Sequence, residues 1–304
     1  MNLEQHALYL IETHSKKTRS IKPNNHHHLS FLTDDDQKPY LVKYIKGHEQ
    51  HAFLIEKNMY SFLASQLNLQ MPNIIDIGFF SGYVYMLREV VIGYTLDVAM
   101  QKHPTSAKAL CEQAGIILAK LHLKTYEQKG FLNEKLDITP YPIFSNEEFQ
   151  KLLDVCMNHQ LITKEAFDVL KSIDIAYYFD RFPNVLCHGD YHLKNIIADQ
   201  QSIKTIIDLE WLSSAPFADD VAGFHVALEQ HGFKDYVEYF YQGYQQIKPI
   251  DSFYFEHIQF YKLYRIITMT SYQATLKENK MQGFYERIKK RLINELNSFL
   301  KKSH

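Results

Sequence analysis

The sequence predicts an α+β fold, with a small antiparallel-sheet lobe over residues 1–92 followed by a larger, mostly helical lobe over residues 93–304. Three observations point that way. Strand-like runs at 29–32, 40–45 and 83–91 crowd the first ninety residues, and the polar turn Asp34-Asp35-Asp36-Gln37-Lys38-Pro39 suits a hairpin between the first two. Gly93 then marks a change of character. Beyond it apolar residues recur at helical spacing, and one short strand pair around 196–207 is the interruption.

Each element has a local reason. An opening helix and a second helix over 50–67 accompany the early strands. Pro104-Thr105-Ser106 introduces a helix whose apolar positions 107, 110, 114, 117, 118 and 121 form one buried stripe. Ser145-Asn146-Glu147-Glu148 is a capping box, in which side-chain oxygens satisfy the free N–H groups of a helix start. The segments 235–247, 252–277 and 280–301 read as further helices, and no solenoid-type repeat is present.

Composition narrows the function. A chain of 304 residues, 46% hydrophobic and 22% charged, can bury a sizeable core and is long enough for two lobes. A net charge of −2 gives no general attraction to nucleic acid or to an acidic membrane, so neither is an expected partner. Cys111, Cys156 and Cys187 are odd in number and widely spaced, which suits buried thiols in a reducing compartment better than disulfides or a metal pair. The first fourteen residues carry Glu4 and Glu12 and lack a signal-peptide pattern, and the most apolar stretch, 77–87, is too short to span a bilayer. The expected location is cytoplasmic. Consecutive His26-His27-His28 cannot all face one ion and read as a loop.

The chemistry concentrates in Leu186-Cys187-His188-Gly189-Asp190-Tyr191-His192-Leu193-Lys194-Asn195 and the hairpin after it, which ends at Asp208-Leu209-Glu210. Two β-branched runs flank a polar four-residue turn, so antiparallel pairing brings Asn195 and Asp208 to one end of the hairpin. An amide oxygen beside a carboxylate suits magnesium (Mg2+), which takes few protein ligands and completes its shell with phosphate and water. Asp190 lies five residues before Asn195, on the loop that feeds the same end, where a carboxylate can accept a proton from a hydroxyl. Any one of these residues could be a turn former; the ordered set is hard to obtain from turn chemistry alone.

These motifs resemble the aminoglycoside phosphotransferase and choline kinase superfamily, whose fold is protein-kinase-like and two-lobed. The likeness runs from about residue 40 to residue 222. It implies that Asp190, within the signature with His188, is the catalytic base, that Asn195 and Asp208 hold magnesium within a signature that includes Glu210, and that Asp220 braces the catalytic loop. ATP or GTP with Mg2+ is the implied cofactor. In the small lobe, alternation puts Lys43 on the face of Leu41 and Ile45. Helical spacing puts Glu56 on the face of Ala52, Met59, Tyr60, Leu63 and Leu67. Two opposite charges on apolar faces can pair with each other, and in kinase-like folds the paired lysine contacts nucleotide phosphates. The stretch from Tyr85 to Gly93 resembles a hinge that offers backbone hydrogen bonds to the base, with Glu89 to Val91 as the contact, or else is an edge strand ending at glycine. No glycine-rich loop precedes Lys43, and Lys194 stands where relatives carry a small residue.

Residues 205–260 hold nine acidic residues (Asp208, Glu210, Asp219, Asp220, Glu229, Asp235, Glu238, Asp251 and Glu256) against Lys234 and Lys248. That excess suits a cationic, hydroxyl-bearing small molecule such as an aminoglycoside or amino alcohol, or is solvated helix surface. The aromatic residues between 236 and 264 fit core packing better than a cage for a quaternary ammonium group. A kinase for a neutral sugar or macrolide and a catalytically silent binding protein stand as alternatives. A protein kinase lacks support, because Asp-Phe-Gly and Ala-Pro-Glu are missing after the loop.

Overall fold

The computed structural model describes residues 1–14, 21–25, 29–33, 39–47, 50–275 and 282–302. They form two compact units. Met1–Leu110, Leu132–Asp137 and Lys194–Trp211 make the first, and Cys111–Phe131, Ile138–Leu193 and Leu212–His304 make the second. The boundary expected after residue 92 therefore runs differently through the chain. The reason is hydrogen bonding: β11 (Ile196–Ala198) pairs with β12 (Ile203–Ile206) and also with β6 (Tyr94–Thr95), which draws the hairpin into the first unit.

The first unit is built on an antiparallel sheet in the order β1 (Ile21–Asn25), β2 (Leu29–Thr33), β3 (Tyr40–Lys46), β5 (Tyr83–Glu89), β4 (Ile74–Phe80). The three expected strands are present, and Leu32 faces Leu41 as a hairpin requires. Residues 34–38 of that turn and the three histidines at 26–28 lie outside the described residues. Two strands were not anticipated. β1 is a polar edge strand, Ile-Lys-Pro-Asn-Asn, with no alternation to betray it. β4 joins β5 through Ser81-Gly82, a two-residue turn with both φ angles positive, 50° and 83°.

Strand alternation sorts the sheet into two faces. Val42, Tyr44, Tyr85 and Leu87 pack with Ala7, Leu10 and Ile11 of α1 (Leu3–His14). Ile45, Val84 and Met86 pack with Phe53 of α2 (Gln50–Leu67). β3 is central and buried on both sides, so Lys43 is carried into the α2 face among apolar neighbours.

The second unit is mostly helical. α11 (Ile258–Thr275) packs against α5 (Asn146–Asn158), α8 (Ala218–Gln230) and α12 (Gln282–Lys302). Ser145 caps α5 as its sequence required, accepting from Glu148 N–H at 3.2 Å. The helix expected over 252–277 breaks at His257 into α10 (Ser252–Glu256) and α11. A five-stranded sheet was also missed: β7 (Thr125–Tyr126), β10 (Asn184–Cys187), β13 (Ser213–Pro216), β8 (Gly130–Leu132) and β9 (Ile138–Pro140), in that order. Strands of two to four residues are too short to show a period. Phe240, Tyr244, Tyr254, Phe260, Tyr261 and Tyr264 are buried and in ring contact, Tyr254 stacked on Tyr261, so most of the aromatic residues between 236 and 264 are core. Among the described residues no helix is long and apolar enough to cross a membrane.

α4 (Ala107–Leu121) and α9 (Val237–Gln245) meet backbone to backbone. A Cβ on Gly243 would collide with the Glu112 carbonyl, and one on Gly115 with the Phe240 carbonyl. Gly243→Ala should therefore destabilise the protein by about 1–3 kcal/mol, although alanine is the better helix former by roughly 1 kcal/mol. Urea denaturation checks this, and an equal or higher midpoint would rule out the tight crossing.

Candidate active site

The first unit assembles a charged cluster on the α2 face. The Lys43 ammonium donates to Asp208 Oδ1 at 2.7 Å and to Glu210 Oε2 at 3.2 Å. Burial alone would push its pKa down, but Asp208, Glu56 and Glu210 together hold it above the ordinary lysine value. The pairing differs from the expected Lys43–Glu56 bond. Glu56, 1% exposed, instead accepts from the Tyr60 hydroxyl one helical turn on, at 2.6 Å, and attracts Lys43 without bonding it. Two carboxylates at the exit of the hairpin outcompete one that is already engaged on its own helix. Glu56 Oε2 has no hydrogen-bond partner among the described residues.

The hairpin end is as the sequence required. Ile196 faces Ile206, and the Ile207 N–H donates to the Asn195 carbonyl at 2.9 Å, which places Asn195 beside Asp208 at one end. The turn at the other end is closed by Asp199, whose Oδ1 accepts from Gln201 and Ser202 N–H. Asp208 has φ of 66°, a left-handed conformation uncommon outside glycine and best tolerated by Asp and Asn. It directs a carboxylate with 38% side-chain exposure out of a buried strand. An amide oxygen and two carboxylates are hard oxygen ligands, and the two carboxylates already draw a cation, the Lys43 ammonium. That donor set fits magnesium. At the expected hinge, the Glu89 and Val90 N–H groups donate to the Asn73 and Pro39 carbonyls, both at 2.9 Å, and Val91 is buried. Lys194 is exposed.

In the second unit the His188–Asp190 loop is fixed by one carboxylate. Asp220, in the first turn of α8, accepts from His188 N–H at 2.6 Å and Gly189 N–H at 2.9 Å. Gly189 has φ of 78°, which lets consecutive N–H groups converge on one acceptor. His122 Nε2 stands 3.3 Å from the same carboxylate, and its Nδ1 lies 2.7 Å from the Tyr244 hydroxyl. Burial pushes the His122 pKa down, so the ring is neutral, donating from Nε2 and accepting at Nδ1. Burial would raise the Asp220 carboxyl, but these donors hold it below the ordinary carboxylate value. The His188 side chain is fully buried and accepts the Asp190 N–H at its Nδ1, 3.3 Å away. The ring thus braces the loop from inside the core.

Asp190 itself keeps 35% side-chain exposure. Its Oδ2 lies 3.2 Å from His192 Nε2, and its Oδ1 accepts from Arg265 Nη2 at 3.3 Å. Burial works to raise its pKa, but His192 and Arg265 outweigh that and keep the carboxyl far below the usual range. His192 and Arg265 were not anticipated from sequence. His192 lay inside the motif, and Arg265 stands one helical turn after the buried Tyr261, a charge within an apolar run. The acidic excess proves largely internal. Asp219 pairs with Arg265, Asp220 holds the loop, and Glu229 pairs with Lys262, His225 and Arg291, leaving Asp235, Glu238, Asp251 and Glu256 exposed.

The model of the phosphotransferase enzyme family matches residues 19–255, well over half of the chain. Among solved structures, the GDP and kanamycin complex of APH(2″)-IIIa is similar at a TM-score of 0.72, with 14% identity over 96% of this chain and 99% of that one. The ternary complex of a thermostable mutant of aminoglycoside phosphotransferase APH(4)-Ia with AMP-PNP and hygromycin B has a TM-score of 0.69, at 13% identity, with 98% and 99% covered. A protein described as a fructosamine-3-kinase from Haemophilus somnus 129PT has a TM-score of 0.63, at 18% identity, with 92% and 91% covered. No curated protein matches the sequence. At these identities the structural likenesses show a kinase-like fold, a sheet-based lobe and a helical one. With that fold and a family match over residues 19–255, the chain belongs to the phosphotransferase enzyme family.

Proposed function

We propose that the protein is a small-molecule kinase that transfers the γ-phosphate of ATP or GTP to a hydroxyl, with Asp190 as the base. The observation that carries this reading is Asp190 itself: a partly exposed carboxylate kept ionised by His192 and Arg265 on a loop fixed by Asp220. Such a group can accept a hydrogen bond from a hydroxyl, orient its lone pair and take its proton as the phosphoryl group transfers. Asn195 and Asp208, with Glu210, would hold magnesium, which when bound neutralises charge on the phosphates. Lys43 is positioned on the same carboxylates and would exchange one of them for a phosphate oxygen, as an ammonium with three donors can. Glu56 adds attraction that keeps Lys43 charged when it does so.

The acceptor we favour is cationic, an aminoglycoside or amino alcohol. Four exposed carboxylates, Asp235, Glu238, Asp251 and Glu256, support it, as do the kanamycin and hygromycin B held by two structural neighbours. The three buried thiols suit a reducing cytoplasm. Release of ADP or GDP, measured against aminoglycosides, macrolides, choline, thiamine and sugars, tests the reading. Nucleotide binding without turnover on any of them would instead indicate a silent binding protein.

Three variants check the roles. Asp190→Asn should lower turnover by roughly 10² to 10⁴ while nucleotide affinity stays within a few fold; near-normal turnover would remove Asp190 from the mechanism. Asp208→Ala should abolish the magnesium dependence of nucleotide binding, with Asn195→Ala milder. Calorimetric titration of nucleotide with and without magnesium decides it, and an unchanged dependence in Asp208→Ala would refute the metal assignment.

A further inference from the structure

Arg265 does more than fill a salt bridge. Its guanidinium spans two carboxylates, Asp190 Oδ1 from Nη2 at 3.3 Å and Asp219 Oδ2 from Nη1 at 3.2 Å, with 13% side-chain exposure. Asp219 and Asp220 are adjacent in the first turn of α8. One fixes the backbone of the His188–Asp190 loop, and the other fixes the arginine that grips the Asp190 side chain. Four residues further along α8, Gly223 clears the seat: a Cβ there would stand 3.2 Å from Arg265 Nε and 3.7 Å from Cζ. Glycine inside a helix is less stable than alanine, so its presence under the guanidinium is a cost that the arginine's fit explains. On the opposite oxygen, His192 completes the grip.

We propose that Arg265 is a positioning residue for Asp190, anchored by Asp219 and seated on Gly223, which holds the carboxylate in the orientation that meets the acceptor hydroxyl. The proposal rests on reading Asp190 as the base. The groups facing Asp190 are His192, Arg265 and His188, and behind the arginine stand Asp219 and Asp220. Charge is divided between the two carboxylates that share the guanidinium. Burial raises Asp219 to about 6, only partly offset by Arg265, while Asp190 stays far below the usual range. Burial thus disfavours the charge on Asp219, while His192 and Arg265 hold Asp190 in its ionised form. A lysine at 265 could reach one carboxylate but not bridge both in a fixed plane.

The test compares Arg265→Met, Arg265→Lys and Gly223→Ala with the parent protein. Nucleotide release from magnesium ATP or GTP is followed with water as acceptor, alongside a carbon-13 NMR titration of Asp190, assigned through Asp190→Asn. In Arg265→Met, turnover should fall roughly 10- to 100-fold with nucleotide KM nearly unchanged. The acid limb of the rate profile and the Asp190 titration should both move to higher pH, by roughly a tenfold change in proton concentration or more. Arg265→Lys should restore the titration but only part of the rate. Gly223→Ala, which keeps every charge, should lower turnover several-fold without loss of thermal stability. Unchanged turnover and titration in Arg265→Met would overturn the proposal. So would a rate loss that only tracks lost stability while the titration stays put. If the parent protein lacks turnover with water and with every hydroxyl acceptor of the panel, the kinase reading fails, and a stationary Asp190 titration in the folded Met variant would sink the clamp separately.

Discussion

Asp220 is the constraint on which the catalytic loop depends. A carboxylate 2% exposed to solvent is costly unless every lone pair finds a donor. Here the donors are two consecutive backbone N–H groups and the His122 ring, itself held by Tyr244. Satisfying the charge and shaping the loop are thus one event. Once His188 and Gly189 turn their N–H groups inward, the His188 ring follows into the core and accepts the Asp190 N–H. Tyr191, fully packed, ties the next residue to the Ala114 carbonyl at 2.9 Å. Asp190 is left with its side chain at the surface of a segment whose backbone has no freedom.

The same economy governs the acidic stretch that follows the loop. In a sequence, a carboxylate counts as negative wherever it stands. In the fold, Asp219 and Glu229 are counter-charges for arginine, lysine and histidine on neighbouring helices. Burial around Glu229 works to raise its carboxyl, yet His225 and Lys262 pull it down to about 2. The part of the charge that a visiting molecule meets is smaller than the formal count. The basic C-terminal segment is similarly committed in part, since Arg291 and Lys262 face Glu229 and Glu295.

In the first unit a lysine is held among apolar side chains by carboxylates that arrive from a distant hairpin. β3 puts Lys43 on the α2 face because its neighbours Val42 and Tyr44 must point the other way, into α1. The left-handed turn at Asp208 is the compensating feature, swinging a carboxylate toward the ammonium as the chain leaves β12. Such a conformation persists where surrounding structure holds it, here the Ile207–Asn195 hydrogen bond on one side and the buried Leu209 on the other.

Local pattern was enough for much of this protein. Alternation in 40–46 placed Lys43 on the right face, the four-residue turn at 199–202 paired Asn195 with Asp208, and the Ser145 cap started α5 where it should. Those features depend on neighbours within a few residues, so sequence alone determined them, together with the family signature at His188, Gly189 and Asp190. Strands of two to four residues carry too few side chains to show a period, which hid the sheet of β7 to β10 and β13. Pairing between distant charges was also invisible. Lys43 had three carboxylates to choose from and Arg265 had several, and only their positions in space select Asp208 with Glu210 and Asp190 with Asp219. Sequence determined which chemical groups the protein carries and the local turns that present them. The tertiary structure decided which charges neutralise each other, because that choice falls off with distance over a few ångströms and no spacing along the chain encodes it.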